Sequence, residues 1–249
     1  MIAALAGKVA LVTGATGGIG SQIVRRLAQE GASVVVGYNS SQQAADELAS
    51  SLAAGDHLVA VAAVTDSDGL AGLPGLIPER FGRLGILGNC AGVTRFVPHS
   101  DLDGLDDALI DRILTVNVRG VIATTRAMRP LLDRAGEGLI ANISSIAGVT
   151  AMGSNIAYCA SKAAVDNLTK SLARALAPKI RVVSVSPGVV DTDFIKGRDE
   201  SWRDEQANRT PLRRLGTPDD VAEAVLAAAT HLRFATGVII PVDGGRPLT

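Results

Sequence analysis

The sequence predicts an α/β fold, a parallel sheet wound with helices on both faces and built as a single domain over residues 1–249. Three observations predict it. Short apolar or β-branched runs recur along the whole chain. Stretches of helical periodicity separate most of them. The runs are also apolar nearly throughout, as strands covered on both faces must be. At 249 residues the chain is long for an average domain, but α/β folds use that length as one unit. No composition break, long repeat or low-complexity segment marks a second domain.

Taken in order, KVALVTG (8–14) leads into Ser21–Glu30, where Ile23, Val24, Leu27 and Ala28 fall on one helical face. SVVVGY (33–38), HLVAVAAV (57–64), LGILGN (84–89) and GLIANIS (138–144) are the next strand candidates. In Lys162–Leu176, Ala164, Leu168, Leu172 and Leu176 share a helical face, ahead of IRVVSVS (180–186) and GVIIPVD (237–243). The least regular stretch, residues 191–216, is polar. Its part around 193–214 is expected to be a mobile flap over a substrate, or a solvated excursion containing a helix.

Composition excludes several classes. Apolar residues make up 47% and charged residues 20%, the balance of a soluble globule with a sizeable core. A formal charge of −1 gives no electrostatic case for nucleic acid or an anionic membrane. MIAALAGK is too short for a secretory apolar region and has no basic stretch before it. No run of about eighteen apolar residues is present to span a bilayer. Cys90 and Cys159 could form one bridge, but a reduced, cytoplasmic chain is the expectation. His57, His99 and His231 are scattered, so no metal is expected.

Three motifs carry chemistry. LVTGATGGIG (11–20) places four glycines within seven residues. A strand ending at Val12, a glycine turn and a helix beginning near Ile19 would let bare amides and a helix N-terminus receive a pyrophosphate. The plainer reading is a tight strand–helix turn. The strict dinucleotide spacing is absent, and no Gly-Lys-Ser/Thr of a P-loop follows. Second, Tyr158 precedes Lys162 by one helical turn, so phenol and ammonium share a face and the cation can favour the phenolate. A core aromatic beside a solvated charge is the alternative. Third, Ser144 and Ser145 end an apolar run thirteen residues ahead of Tyr158, where an α/β sheet presents chemistry; a turn-capping serine is the alternative. Asn117 in TVNVRG could likewise satisfy backbone groups inside a helix.

Together these segments closely resemble the short-chain dehydrogenases/reductases, nearest in appearance to the 3-oxoacyl-(acyl-carrier-protein) reductase branch. Thr13, Gly14, Gly18 and Gly20 match the family's cofactor turn. NCAG (89–92) is similar to its Asn-Asn-Ala-Gly motif, and Asn117, Ser145, Tyr158 and Lys162 match its catalytic tetrad. SPGVVDT (186–192), PLRRLGTPDDVAEAV and VIIPVDGG resemble its closing segments. The resemblance implies a Rossmann-type sheet of about seven strands, a hydride transfer between NAD(H) or NADP(H) and a carbonyl or secondary alcohol, and a homotetramer. It implies that Ser145 stabilises the substrate oxygen and Tyr158 exchanges its proton. Lys162 would lower the Tyr158 pKa and bind ribose, and Asn117 would hold a water. Cofactor contacts are implied at Gly14, Thr16, Gly17, Gly18, Ile19, Gly20, Tyr38, Asn39, Ser40, Val64, Asn89, Ala91, Gly92, Tyr158, Lys162, Pro187, Gly188, Val190 and Thr192.

The departures concern specificity. Gly17 stands where many NADP-preferring members carry a basic residue, and Tyr38-Asn39-Ser40-Ser41 lacks the carboxylate of many NAD-preferring ones. NADP(H) is therefore expected to be favoured, with NAD(H) the alternative. Ala63 stands where an Asp or Asn commonly meets the adenine, which leaves the backbone at Val64. The substrate is expected to be a small carbonyl compound or alcohol, with an acyl thioester as one candidate and sugars or steroids as others. Phe194, Ile195 and Trp202 are candidate apolar contacts. A dinucleotide-sensing regulator and a structural subunit are the readings outside catalysis; regulators of that kind typically lose the Tyr/Lys pair that this chain retains.

Overall fold

The computed structural model describes residues 3–192, 194 and 199–248. Its sheet has seven parallel strands in the order β3-β2-β1-β4-β5-β6-β7. These are β1 (Val9–Thr13), β2 (Ser33–Tyr38), β3 (Leu58–Val61), β4 (Ile86–Asn89), β5 (Gly138–Ile143), β6 (Ile180–Pro187) and β7 (Ile239–Val242). The third is shorter than its apolar run suggests. It is an edge strand, and Val61 at its end is half exposed.

Helices α1 (Gly18–Gln29) and α9 (Pro218–Thr230) pack together on one face, beside α2 (Gln42–Ser50). On the other face lie α3 (Ser67–Phe81), α5 (Gly120–Ala135) and α7 (Ile156–Leu176). The short α4 (Asp107–Leu114) runs through a π-helical turn, Thr115–Arg119, into α5, and a single turn, α6 (Ala147–Thr150), precedes α7. The predicted helix 162–176 is thus the later part of α7, whose first turn already carries Tyr158. The face of α1 that turns inward is Ile23, Val24, Leu27 and Ala28, as its periodicity requires.

Strand register makes the α7 side of the sheet change character along its length. Leu11, Leu87, Ile140 and Val182 align across four neighbouring strands, all fully buried. One pleat further toward the carboxyl edge the aligned residues are Thr13, Asn89, Asn142 and Ser184, equally buried but polar. Such groups persist in a core only when hydrogen-bonded. Asn89 Nδ2 donates to Asn142 Oδ1 (2.9 Å) and to Thr125 of α5, and Asn142 Nδ2 donates to Thr169 of α7 (2.9 Å). This row sits directly beneath the residues at the strand ends.

The polar excursion contains a helix, α8 (Glu200–Asn208), capped by Asp199 and tethered by Arg246, whose guanidinium donates to Gln206 and to the Arg209 carbonyl.

Candidate active site

Thr13 closes β1 and ties the first turn to the end of β4. Its hydroxyl donates to the Gly88 carbonyl and accepts from the amides of Cys90 and Ala91 at 3.2 and 3.3 Å. Gly14 follows with φ +61°, and a Cβ there would stand 2.8 Å from the Ala91 Cα, so only glycine fits. Thr16, Gly17 and Gly18 are exposed, Ile19 is half-buried, and Gly20 is buried against the Gly14 carbonyl. A Cβ at Gly18 would meet Thr192 at 2.8 Å, which brings the far segment 188–192 over the turn. The N-cap of α1 is Gly17, with no side chain to occupy the first-turn amides and no acid nearby. A bare helix N-terminus of this kind fits the pyrophosphate of a dinucleotide.

The remaining cofactor-side residues divide by burial. Tyr38 was expected among the polar donors at the end of β2. Its ring instead belongs to the core, 8% exposed, on the face of β2 that also carries Val34 and Val36, and the chain becomes exposed only past the strand end, at Asn39 and Ser40. Val64 is buried against Gly120, and Asn89 in the polar row has a side-chain oxygen without a partner among the described residues. Pro187 accepts from the Ile146 amide, Gly188 lies against the Asp243 backbone, and Val190 pairs with Gly216.

Helix α7 supplies the reactive pair. Its N-cap is Asn155, which accepts from the Tyr158 amide at 2.7 Å and donates to the Arg95 carbonyl at 2.7 Å, so one buried side chain fixes both the helix start and the loop after β4. Sequence reasoning passed over it, although an Asn three residues before a helical tyrosine is an N-cap signature. Lys162 lies 5.6 Å from the Tyr158 ring centroid and donates to the Ile143 carbonyl at 2.8 Å. A Cβ at Gly92 would lie 3.5 Å from Asn117 Oδ1 and 3.8 Å from Lys162 Nζ. Asn117, on the π-helical turn, accepts from the Val93 amide and donates to the Val93 carbonyl and to Ser161. Ser145, after β5, accepts from the Ala147 amide. Asn117, Ser145, Tyr158 and Lys162, from three segments, thereby converge at the carboxyl edge. Phe194 joins them, its ring centroid 6.1 Å from that of Tyr158; Trp202 is on α8, and Ile195 lies outside the described residues.

Burial dominates the electrostatics. It pushes the Tyr158 phenol up to about 12, with a hydrogen bond from Ser145 working the other way. It draws Lys162 down to about 8, opposed by Cys90 and Asp166. The expected lowering of the phenol by Lys162 is therefore overridden in the protein itself by desolvation. Cys90 is likewise pushed up to about 12 by burial, which keeps it a neutral thiol; both cysteines are free. The arrangement offers a protonated phenol and a serine hydroxyl to a carbonyl oxygen, beside a cation held out of water.

Two outcomes follow from this geometry. Replacing Asn155 with Ala should cost about 1–2 kcal/mol in denaturant unfolding, and should lower turnover about tenfold or more through displacement of Tyr158. Lys162→Met should do the opposite to stability. A lysine held at about 8 instead of 10.5 destabilises the fold below pH 8, by about 3 kcal/mol before the lost hydrogen bond is counted. The ligand-free Met variant should therefore melt higher than wild type at pH 7. Its advantage should shrink between pH 8 and 10.5, where folding already sheds the lysine proton.

Residues 14–246 match the family model described as "Enoyl-(Acyl carrier protein) reductase". The chain is 40% identical over 242 residues to "Granaticin polyketide synthase putative ketoacyl reductase 2" of Streptomyces violaceoruber, covering 96% of each. It is 38% identical over 246 residues to cis-4-hydroxycyclohexanecarboxylate dehydrogenase of Sinomonas cyclohexanicum, covering 97% of each. A solved short-chain dehydrogenase/reductase from Brucella melitensis superposes with a TM-score of 0.89 at 30% identity, over 99% of both chains. Sequence, sheet order and the convergence of Ser145, Tyr158 and Lys162 agree, and the chain belongs to the short-chain dehydrogenase/reductase family of oxidoreductases.

Proposed function

We propose that this enzyme reduces a carbonyl group to a secondary alcohol with NADP(H), and that its substrate class is a 3-oxoacyl thioester. The approach of Ser145 to the Tyr158 hydroxyl at the carboxyl edge, with Lys162 beside the ring, carries the reading. A bound nicotinamide dinucleotide supplies the hydride. As the substrate oxygen gains charge, Ser145 donates a hydrogen bond to it and Tyr158 transfers its proton. Lys162 stays charged below about pH 8, holding the ribose and stabilising the tyrosinate that remains. Asn117, set against Gly92 and Lys162, positions the water that returns a proton. The exposed amides of the first glycine turn take the pyrophosphate. The granaticin ketoacyl reductase supports the thioester. The cyclohexanecarboxylate dehydrogenase supports a second reading, an alicyclic alcohol set against Phe194. The segment 193–214 acts as the substrate flap in both. Exposed Leu114, Ile122 and Phe234 support assembly into a homotetramer.

The cofactor choice rests on the end of β2. No carboxylate is present there to bind the ribose hydroxyls and repel a 2′-phosphate. The nearest cations are engaged elsewhere, Arg25 with Ser51 and Arg26 with Glu223, so the preference is modest.

Tyr158→Phe keeps the ring and removes the proton. Turnover of a β-ketoester should fall by about 10²–10⁴, with dinucleotide affinity retained; near-normal turnover would sink the assignment. For the cofactor, kcat/KM should favour NADPH over NADH by roughly tenfold, about 1.4 kcal/mol. Asn39→Asp should reverse that order, and faster turnover of NADH by the unmutated enzyme would show that the missing carboxylate is not the determinant.

A further inference from the structure

Helix α7 carries a third ionisable side chain on the face that bears Tyr158 and Lys162. Asp166 lies one turn beyond Lys162 and is 7% exposed. One of its oxygens accepts from the Ser184 hydroxyl at 3.2 Å, and the other is buried with no hydrogen-bond partner among the described residues. Ser144, next to Ser145, also bears on this carboxyl, and its hydroxyl donates to the Lys162 carbonyl at 3.2 Å. The carboxyl is therefore held from β6 by Ser184 and flanked by Ser144 at the end of β5. It has a polar anchor, but its second oxygen lacks the donor that a buried carboxylate ordinarily finds. A helix-surface charge would not be kept this way.

What the position does offer is opposite charge. Among the described residues Lys162 has one hydrogen-bond acceptor, the Ile143 carbonyl, and that carbonyl is neutral. The titratable groups that favour its charged form are Cys90, which stays a thiol, and Asp166. Tyr158, on the far side, is neutral at working pH. Asp166 in turn is raised by burial and lowered by Ser144, Ser184, Lys162 and Lys170.

We propose that Asp166 is a positioning residue for the reaction: its buried carboxylate, anchored by Ser184 one turn behind Lys162, is the counter-charge that keeps Lys162 a cation. Removing the charge while keeping the shape should release the lysine proton at lower pH, because a carboxylate stabilises the ammonium and an amide does not. The inference rests on the proposed role of Lys162, and the controls separate the two.

The test is a titration of Lys162 in the ligand-free protein, followed through the ¹³Cε resonance of labelled lysine and assigned by its absence in Lys162→Met. Asp166→Asn keeps an oxygen for Ser184 to bond and should lower the Lys162 midpoint by about one pH unit, a tenfold change in proton affinity. With the dinucleotide and a β-ketoester, the alkaline limb of turnover should move down with it while activity at pH 6 stays near that of wild type. Ser184→Ala weakens the carboxylate without removing it. It should shift both readings in the same direction by less, and it decides the question if the Asn variant does not fold. An unchanged midpoint in the variant that folds, or a loss of turnover equal at every pH, would overturn the proposal and leave Asp166 a packing residue. Should Lys162→Met turn over normally, the reading of the site itself fails instead.

Discussion

An amine held as a cation where water does not reach it is the constraint on which this structure turns. Lys162 is 6% exposed, and the desolvation of its charge is opposed by few groups. Everything near it is arranged to tolerate that charge. The sheet end presents the Ile143 carbonyl, and the loop after β4 brings Gly92, which has no side chain to crowd the amine. An ordinary core would expel such a group or neutralise it. Here the reacting edge is less stable than the layers beneath it, as active sites often are.

The layers beneath explain how such an edge is held. The row Leu11, Leu87, Ile140 and Val182 fixes strand spacing by close packing alone, which specifies depth but not direction. The next row, Thr13, Asn89, Asn142 and Ser184, adds hydrogen bonds of defined geometry to α5 and α7. Those bonds hold α7 in register along its length, so that Tyr158 and Lys162 face the strand ends. A polar row buried above an apolar layer costs desolvation, which the bonds from Asn89 to Asn142 and from Asn142 to Thr169 offset in part, the Asn89 side-chain oxygen finding no donor among the described residues.

Much of this was legible from local pattern. Strand runs, the glycine turn and the Tyr158–Lys162 pair depend on residues a few positions apart, and periodicity reports such spacings directly. The polar row was not legible, since Asn89, Asn142 and Ser184 become neighbours only through strand register. Asp166 reads in the sequence as one more helix charge beside Asn167, and its burial follows from the sheet pressed against it. The burial of the Tyr38 ring was hidden for a similar reason: the sequence shows a run ending among polar residues, but not that its last side chain packs with Val34 and Val36 in the core. The direction of the Tyr158 shift failed as well, because helical spacing reveals a nearby cation but not the depth at which both groups sit.

The widened turn Thr115–Arg119 places Asn117 by an extra residue in the helical path rather than by a loop. A segment built in this way is sensitive to length more than to composition. Loss of one residue there would restore a regular helix with α5 facing nearly as before, since the wide turn absorbs its extra residue, and would shift Asn117 relative to Gly92 without altering any residue of the site. Evolutionary drift in this stretch should thus proceed by substitution, while insertions and deletions, tolerated in surface loops, are purged.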